Sequence, residues 1–216
     1  MIDTIELEIP PHGLAGMLGL GERQQGLVIF AHGSGSGRLS PRNQHVAAAL
    51  RAAGFATLLL DLLLPNEEHD RAKVFDIELL AERLGDATDW AHLHTDTALL
   101  PVGYFGASTG AGAALVAASD PKNRVGAVVS RGGRPDLAGE ALEAVTAPTL
   151  LIVGSLDTQV IALNQQAMKR MHGEKLLSIV PGATHLFEEP GTLDQVVVLA
   201  TSWFRQHLSA SAASRA

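Results

Sequence analysis

The chain has 216 residues, enough for one domain with a full core, and 46% hydrophobic against 18% charged residues excludes a disordered or fibrous protein. With no cysteine, disulfide frameworks, zinc–thiolate sites, iron–sulfur clusters and thiol nucleophiles are excluded as well. A net charge of −7 and an aromatic share of 4% argue against phosphate-neutralising and base-stacking surfaces, and so against nucleic acid as a partner.

In chain order, Ile2 to Ile9 alternates apolar and polar residues, as a half-buried edge strand does. Its start is acidic, without the basic region that leads a signal peptide. Pro10-Pro11-His12-Gly13 reads as a turn and Leu14 to Leu18 as the hairpin partner. Leu27 to Ala31 is continuously apolar, the pattern of a strand covered on both faces.

From there strands and helices alternate. A helix is expected from Pro41 to Ala53, with Ser40 as N-cap and Gly54 as the stop. A buried strand follows at Thr57 to Leu62. Phe75 to Leu84 and Ala87 to His94 read as two helices divided by Gly85. Val102 to Phe105 is a strand and Thr109 to Ser119 a helix of small residues. Val125 to Val129, Thr149 to Val153 and Leu176 to Val180 are three further strands, with helices at Gln159 to Met171 and Leu193 to Leu208. This order predicts an α/β fold: a mostly parallel sheet with an antiparallel N-terminal hairpin and helices on both faces. A single domain over residues 1–208 is expected, with a disordered tail at 209–216. The longest apolar run, Ala56 to Leu64, is interrupted by Asp61 and too short to span a bilayer, so a cytoplasmic protein without membrane contact is expected.

Ligands of open parallel sheets bind at the carboxyl ends of the strands, so the loops there should carry the chemistry. Gly106-Ala107-Ser108-Thr109-Gly110 lies between a strand and a helix and fits a nucleophile elbow, in which Ser108 stands above the sheet and small residues flank it at two positions on either side. Asp157 and His185 follow two later strands, giving the order Ser, Asp, His. The three roles are complementary: serine attacks, imidazole takes its proton, and carboxylate orients the imidazole. Singly, Asp157 fits a helix cap and His185 an ordinary loop histidine; together at successive strand ends they point to a catalytic triad. Ala31-His32-Gly33-Ser34-Gly35-Ser36-Gly37 follows the third strand, so backbone N–H groups of Ser34 and Thr109 are assigned to an oxyanion hole, with Gly33 and Gly35 beside the substrate. It fails as a dinucleotide fingerprint, because Arg38 stands where the third glycine belongs, and as a P-loop for want of Gly-Lys-Ser/Thr.

In these motifs the chain resembles the α/β-hydrolase superfamily, and within it small dienelactone-hydrolase-like enzymes, over nearly its whole length. Dienelactone hydrolases use a cysteine nucleophile. Ser108 stands here instead, so the resemblance implies cleavage of small esters or lactones rather than of dienelactone itself. Sequences similar to Ser130-Arg131-Gly132-Gly133-Arg134-Pro135-Asp136 also occur in uncharacterised hydrolases, some fused to a phosphoribosyltransferase-like domain; none is expected among these 216 residues. A serine hydrolase working through an acyl-enzyme is the leading expectation, needing no metal or cofactor. A thioesterase or acyltransferase with the same triad, or a silent binding module on the same fold, are the alternatives.

Five weaker features remain. His92-x-His94 with Asp96 does not place two ligands on one helix face. Asn66 to Arg71 reads as a solvated loop, or, since it follows a strand end, as part of the rim of the site, and the face carrying Asp76, Glu78, Glu82 and Arg83 reads as solvated. Between Ser130 and Pro148 there is room for only a short lid, so an open site is expected. Arg131, at a strand end beside the elbow, is expected either to bind an anionic group of the substrate or to pair with Asp136 or Glu140.

Overall fold

The computed structural model describes residues 4–21 and 23–208. Ile2, the expected first residue of the hairpin, and the tail from Ser209 lie outside them. Eight strands form one sheet: β1 Thr4–Ile9, β2 Leu14–Gly19, β3 Leu27–Ala31, β4 Ala56–Leu60, β5 Val102–Ala107, β6 Val125–Arg131, β7 Thr149–Gly154 and β8 Lys175–Val180. Their order is β1-β2-β4-β3-β5-β6-β7-β8. β1 and β2 form an antiparallel hairpin, β2 runs antiparallel to β4, and every pair from β4 to β8 is parallel.

Two apolar layers sandwich the sheet. On one side α3 (Ile77–Leu93) and α4 (Thr109–Ser119) pack over Ile29, Leu58, Tyr104 and Val128, with α5 (Thr158–Arg170) at the far end. On the other, α1 (Pro41–Ala52) and α6 (Thr192–His207) cover Val28, Phe30, Phe105 and Val129. Burial of β3, β4 and β5 on both faces explains their unbroken apolar runs. Among the described residues no helix is long and apolar enough to cross a membrane.

Three local expectations need correction. The two helices divided at Gly85 are one, α3, preceded by a short α2 (Arg71–Val74). A glycine inside a helix costs only about 1 kcal/mol. Leu84, Ala87, Thr88 and Ala91 are buried on either side of it, and Gly85 itself packs beside Asn123, so tertiary burial carries the helix through. Ser40 precedes α1 but makes no side-chain cap bond; Pro41 still sets the first turn. Arg83 is buried rather than solvated, for a reason that bears on the site below.

Candidate active site

The loops after β3, β5, β7 and β8 meet at the carboxyl edge of the sheet. Ser108, between β5 and α4, has φ 50° and ψ −120°, a strained backbone for a non-glycine residue. Close approach explains its small neighbours. A Cβ on Gly106 would strike the backbone of Ala111, and one on Gly110 would strike the carbonyl oxygens of Ala31 and His32. The carbonyl of Ser108 accepts from Ala111 and Arg134 N–H groups at 3.1 and 3.0 Å, which braces the turn from two sides.

His185 Nδ1 lies 2.6 Å from Asp157 Oδ2, and His185 Nε2 lies 3.3 Å from Ser108 Oγ. Asp157 stands at the N-terminus of α5 yet makes no cap bond, so its carboxylate is committed to the histidine instead. With the carboxylate as acceptor, Nδ1 carries the proton and Nε2 is left to accept from the serine hydroxyl. Asp157 and His185 meet because the loops after β7 and β8 are stitched together. Leu156 N–H donates to Ala183 O at 3.0 Å and Gly182 N–H to Ser155 Oγ at 2.8 Å, while Gly154 leaves no room for a side chain against Ala183.

The glycine-rich loop after β3 closes over the elbow. Gly33 is tight against Ala107 O and Ser108 Cβ, each 3.0 Å from where its own Cβ would stand. Thr109 is the first residue of α4, so its N–H has no acceptor within the helix. Ser34 N–H, the other expected oxyanion donor, points at Thr109 Oγ1 at 2.9 Å. Beside this loop opens a cavity of about 620 Å³ whose walls include Gly33, Ser34, Gly35, Arg42, Leu63 and Leu80. That is a volume suited to a small organic ligand.

Three features around the site involve contacts that the sequence did not indicate. His32 is buried and receives Leu62 N–H on Nε2 at 2.9 Å, so its Nδ1 carries a proton and donates to Gly33 O at 2.9 Å. It thereby ties the β3 loop to the segment after β4. Asp61 pairs with Arg38 on the cavity wall. Behind that wall, Glu67 and Arg83 form a buried two-point ion pair at 2.5 and 3.0 Å, joined by Lys73 at 2.7 Å. Arg83 also donates to Leu62 O at 2.9 Å. The Arg83 guanidinium holds the Glu67 carboxyl well below the usual carboxylate range. Within Asn66 to Arg71, Glu67 is thus a buried anchor, while the other five residues are exposed as expected and Glu68 and His69 rim the cavity. The acid–base pairing of residues sixteen apart was the available signal, but sixteen does not correspond to any local periodicity.

Among the described residues Arg131 forms neither of the acid pairs expected of it. Asp136 pairs with Arg134 at 2.8 Å, not with Arg131. Arg131 is only 7% exposed, its Nε has no partner among the described residues, and its guanidinium lies 5.9 Å over the Phe187 ring. It is not among the residues lining the cavity. Burial, reinforced by Arg42, pushes its pKa down to about 10, which leaves it charged at neutral pH. The segment from Pro135 to Glu143 is a kinked 3₁₀ helix that buries Ala138 and Leu142 in the core, against α4, rather than folding over Ser108. Among the described residues no group of three or more His, Asp or Glu side chains gathers in a metal-binding cluster.

No family model matches the chain. A solved structure, dienelactone hydrolase from Anabaena variabilis, shares 53% identity over 96% of this chain and 98% of its own, with a TM-score of 0.91. The chain belongs to the dienelactone-hydrolase family of α/β hydrolases. Est1E from Butyrivibrio proteoclasticus, 15% identical with a TM-score of 0.75, shares the fold. A Mycobacterium tuberculosis protein provisionally named a phosphoribosyl transferase is 62% identical over 206 residues, which are 95% of this chain but 46% of that relative. The chain thus spans about half the length of that curated relative, and the transferase name belongs to the longer protein.

Proposed function

We propose that this family member is a serine hydrolase that cleaves small carboxylic esters or lactones through an acyl-enzyme on Ser108. The observation that carries the reading is the continuous chain Ser108–His185–Asp157 at a strained elbow. His185 takes the Ser108 proton as the hydroxyl oxygen attacks the carbonyl carbon. Asp157 holds the ring in the required tautomer and stabilises the imidazolium. The carbonyl oxygen gains negative charge and is received by the N–H groups of Ser34 and Thr109. His185 then returns the proton to the leaving alkoxide, and water repeats the sequence to release the acid.

The site suits short acyl groups, because the segment from Pro135 to Glu143 packs against α4 and the cavity beside the site is of small-molecule size. Short-chain p-nitrophenyl esters should therefore be turned over better than long-chain ones, with no activation at a lipid interface. Long-chain triglycerides as the best substrates would contradict this. The triad itself is tested by a fluorophosphonate probe read by intact mass. One adduct is expected on the wild type and none on Ser108→Ala; an unlabelled wild type would remove the serine nucleophile from the account.

A further inference from the structure

Six threonines are buried in the described structure, and what their hydroxyls do differs. Thr88, Thr97, Thr149 and Thr192 each donate to a backbone carbonyl, at 2.7–2.9 Å. Thr57, near the start of β4 and so away from the carboxyl edge of the sheet, accepts from Arg51 at 3.0 Å, and among the described residues its proton has no acceptor. Thr109 also accepts, from the Ser34 N–H at 2.9 Å, and among the described residues its own proton has no acceptor. A hydroxyl carries one donor and two acceptor lone pairs, so a buried threonine with an idle proton needs an explanation.

Its location supplies one. Thr109 immediately follows the nucleophile, and its single hydrogen bond crosses to the other residue that lends an N–H to the oxyanion. The hydroxyl oxygen is therefore bonded to one backbone donor and carried by the residue that supplies the other, and rotation about the Cβ–Oγ1 bond is free to turn its proton toward the space they share. Accepting from the Ser34 amide also polarises the O–H bond, which strengthens it as a donor. Nearby, Gly33 and Gly110 pack so closely on the elbow and on the end of β3 that the two halves of the hole are held at this spacing.

We infer that Thr109 is a third oxyanion donor: its Oγ1–H joins the two N–H groups in stabilising the charge on the tetrahedral intermediate, while Oγ1 keeps the Ser34 amide aimed at the hole between turnovers. The Ser34 N–H is then shared between Oγ1 and the oxyanion. This inference rests on the proposed function, since it concerns charge that develops only if Ser108 attacks a carbonyl.

The test compares Thr109→Val, which keeps the shape and removes the hydroxyl, with Thr109→Ser, which restores it. Four readouts are taken: kcat, KM, affinity for an aryl trifluoromethyl ketone, and Tm. Thr109→Val should lower kcat on the order of 10²-fold with little change in KM, because the lost bond forms only in the transition state. Affinity for the ketone, whose adduct with Ser108 carries an oxyanion, should fall in step with kcat, and Thr109→Ser should recover most of both. Tm should hardly move, since Ser34 is exposed and water can take its N–H. An unchanged or higher kcat in Thr109→Val would show that the hydroxyl only occupies the Ser34 amide, and would overturn the inference. So would a loss confined to KM and Tm, or one that serine fails to repair. If the wild type neither takes up the fluorophosphonate nor turns over any ester, the triad and the third donor fall together. If both wild type and Thr109→Val are labelled and equally active, only the third donor falls.

Discussion

The loops that carry Ser108, Asp157 and His185 and the segment after β4 that carries Glu67 lie along the same edge of one sheet, but they are built differently. Each triad residue sits within a few positions of a strand end, where short-range chemistry places it: small flanking residues for Ser108, and stitching hydrogen bonds between the β7 and β8 loops for the other two. The Glu67 side chain is placed chiefly by a partner sixteen residues away on another element, Arg83 of α3, alongside its local bonds to the Leu64 N–H and Lys73. The first region brings together the residues of the proposed triad, and the second braces the cavity wall. Substitutions should therefore separate activity from stability.

The sharpest break comes at the nucleophile. Ser108→Ala should lower ester turnover by about 10⁴- to 10⁶-fold, and the double variant Ser108→Ala/His185→Ala should lose little more, because the two act as a unit. Melting behaviour should stay near that of the wild type. Losses that multiply in the double variant would show that the two side chains work independently.

In the second region the effect should fall on stability. Glu67→Gln leaves Arg83 as a buried charge without its counter-ion, a defect that costs about 3–5 kcal/mol. Urea unfolding should show this as a lower midpoint at an unchanged slope. The pH dependence has a definite sign. A carboxyl held below its ordinary range contributes stability that is complete above the unfolded-state pKa of about 4.3 and is lost as pH falls below it. Between about pH 5 and pH 2 the wild type should therefore lose more unfolding free energy than Glu67→Gln. Parallel pH profiles would show that the pair contributes nothing to acid stability.

The smallest effect is expected where the two regions cannot be told apart by eye. Arg131 lies next to the elbow, like the triad, but it is buried under Phe187 without an acid partner, like a structural residue. Arg131→Met keeps most of the volume and removes an unpaired buried charge, so stability should be unchanged or higher by about 1 kcal/mol. Comparing kcat/KM for a neutral ester and its carboxylate-bearing analogue assigns the role. Equal changes on both are expected from a side chain that does not line the cavity. A loss confined to the carboxylate analogue would move Arg131 to the substrate.

How much was legible follows the same division. Strand and helix order, the elbow and the chain order Ser, Asp, His could be read directly, because apolar runs, small-residue spacing and strand-end position are local properties. Gly85 misled as a helix break because its cost is local and small, whereas the burial that overrides it comes from Tyr104, Asn123 and the sheet. Arg83 misled because its neighbours along α3, Glu82 and Asp86, are charged; only the packed structure shows which of them faces inward.

The amino-acid order by itself determined the sheet-and-helix architecture, the strained turn at Ser108 and the three residue types at successive strand ends, since each depends on interactions within a few residues. Tertiary structure alone decided that Asp157 serves His185 instead of capping α5, that Glu67 and Arg83 neutralise each other inside the cavity wall, and that the Ser34 amide meets the Thr109 hydroxyl 75 residues away. These are directional hydrogen bonds and desolvated charges between distant segments. Their geometry and strength exist only once the sheet has brought the partners together and removed the water between them.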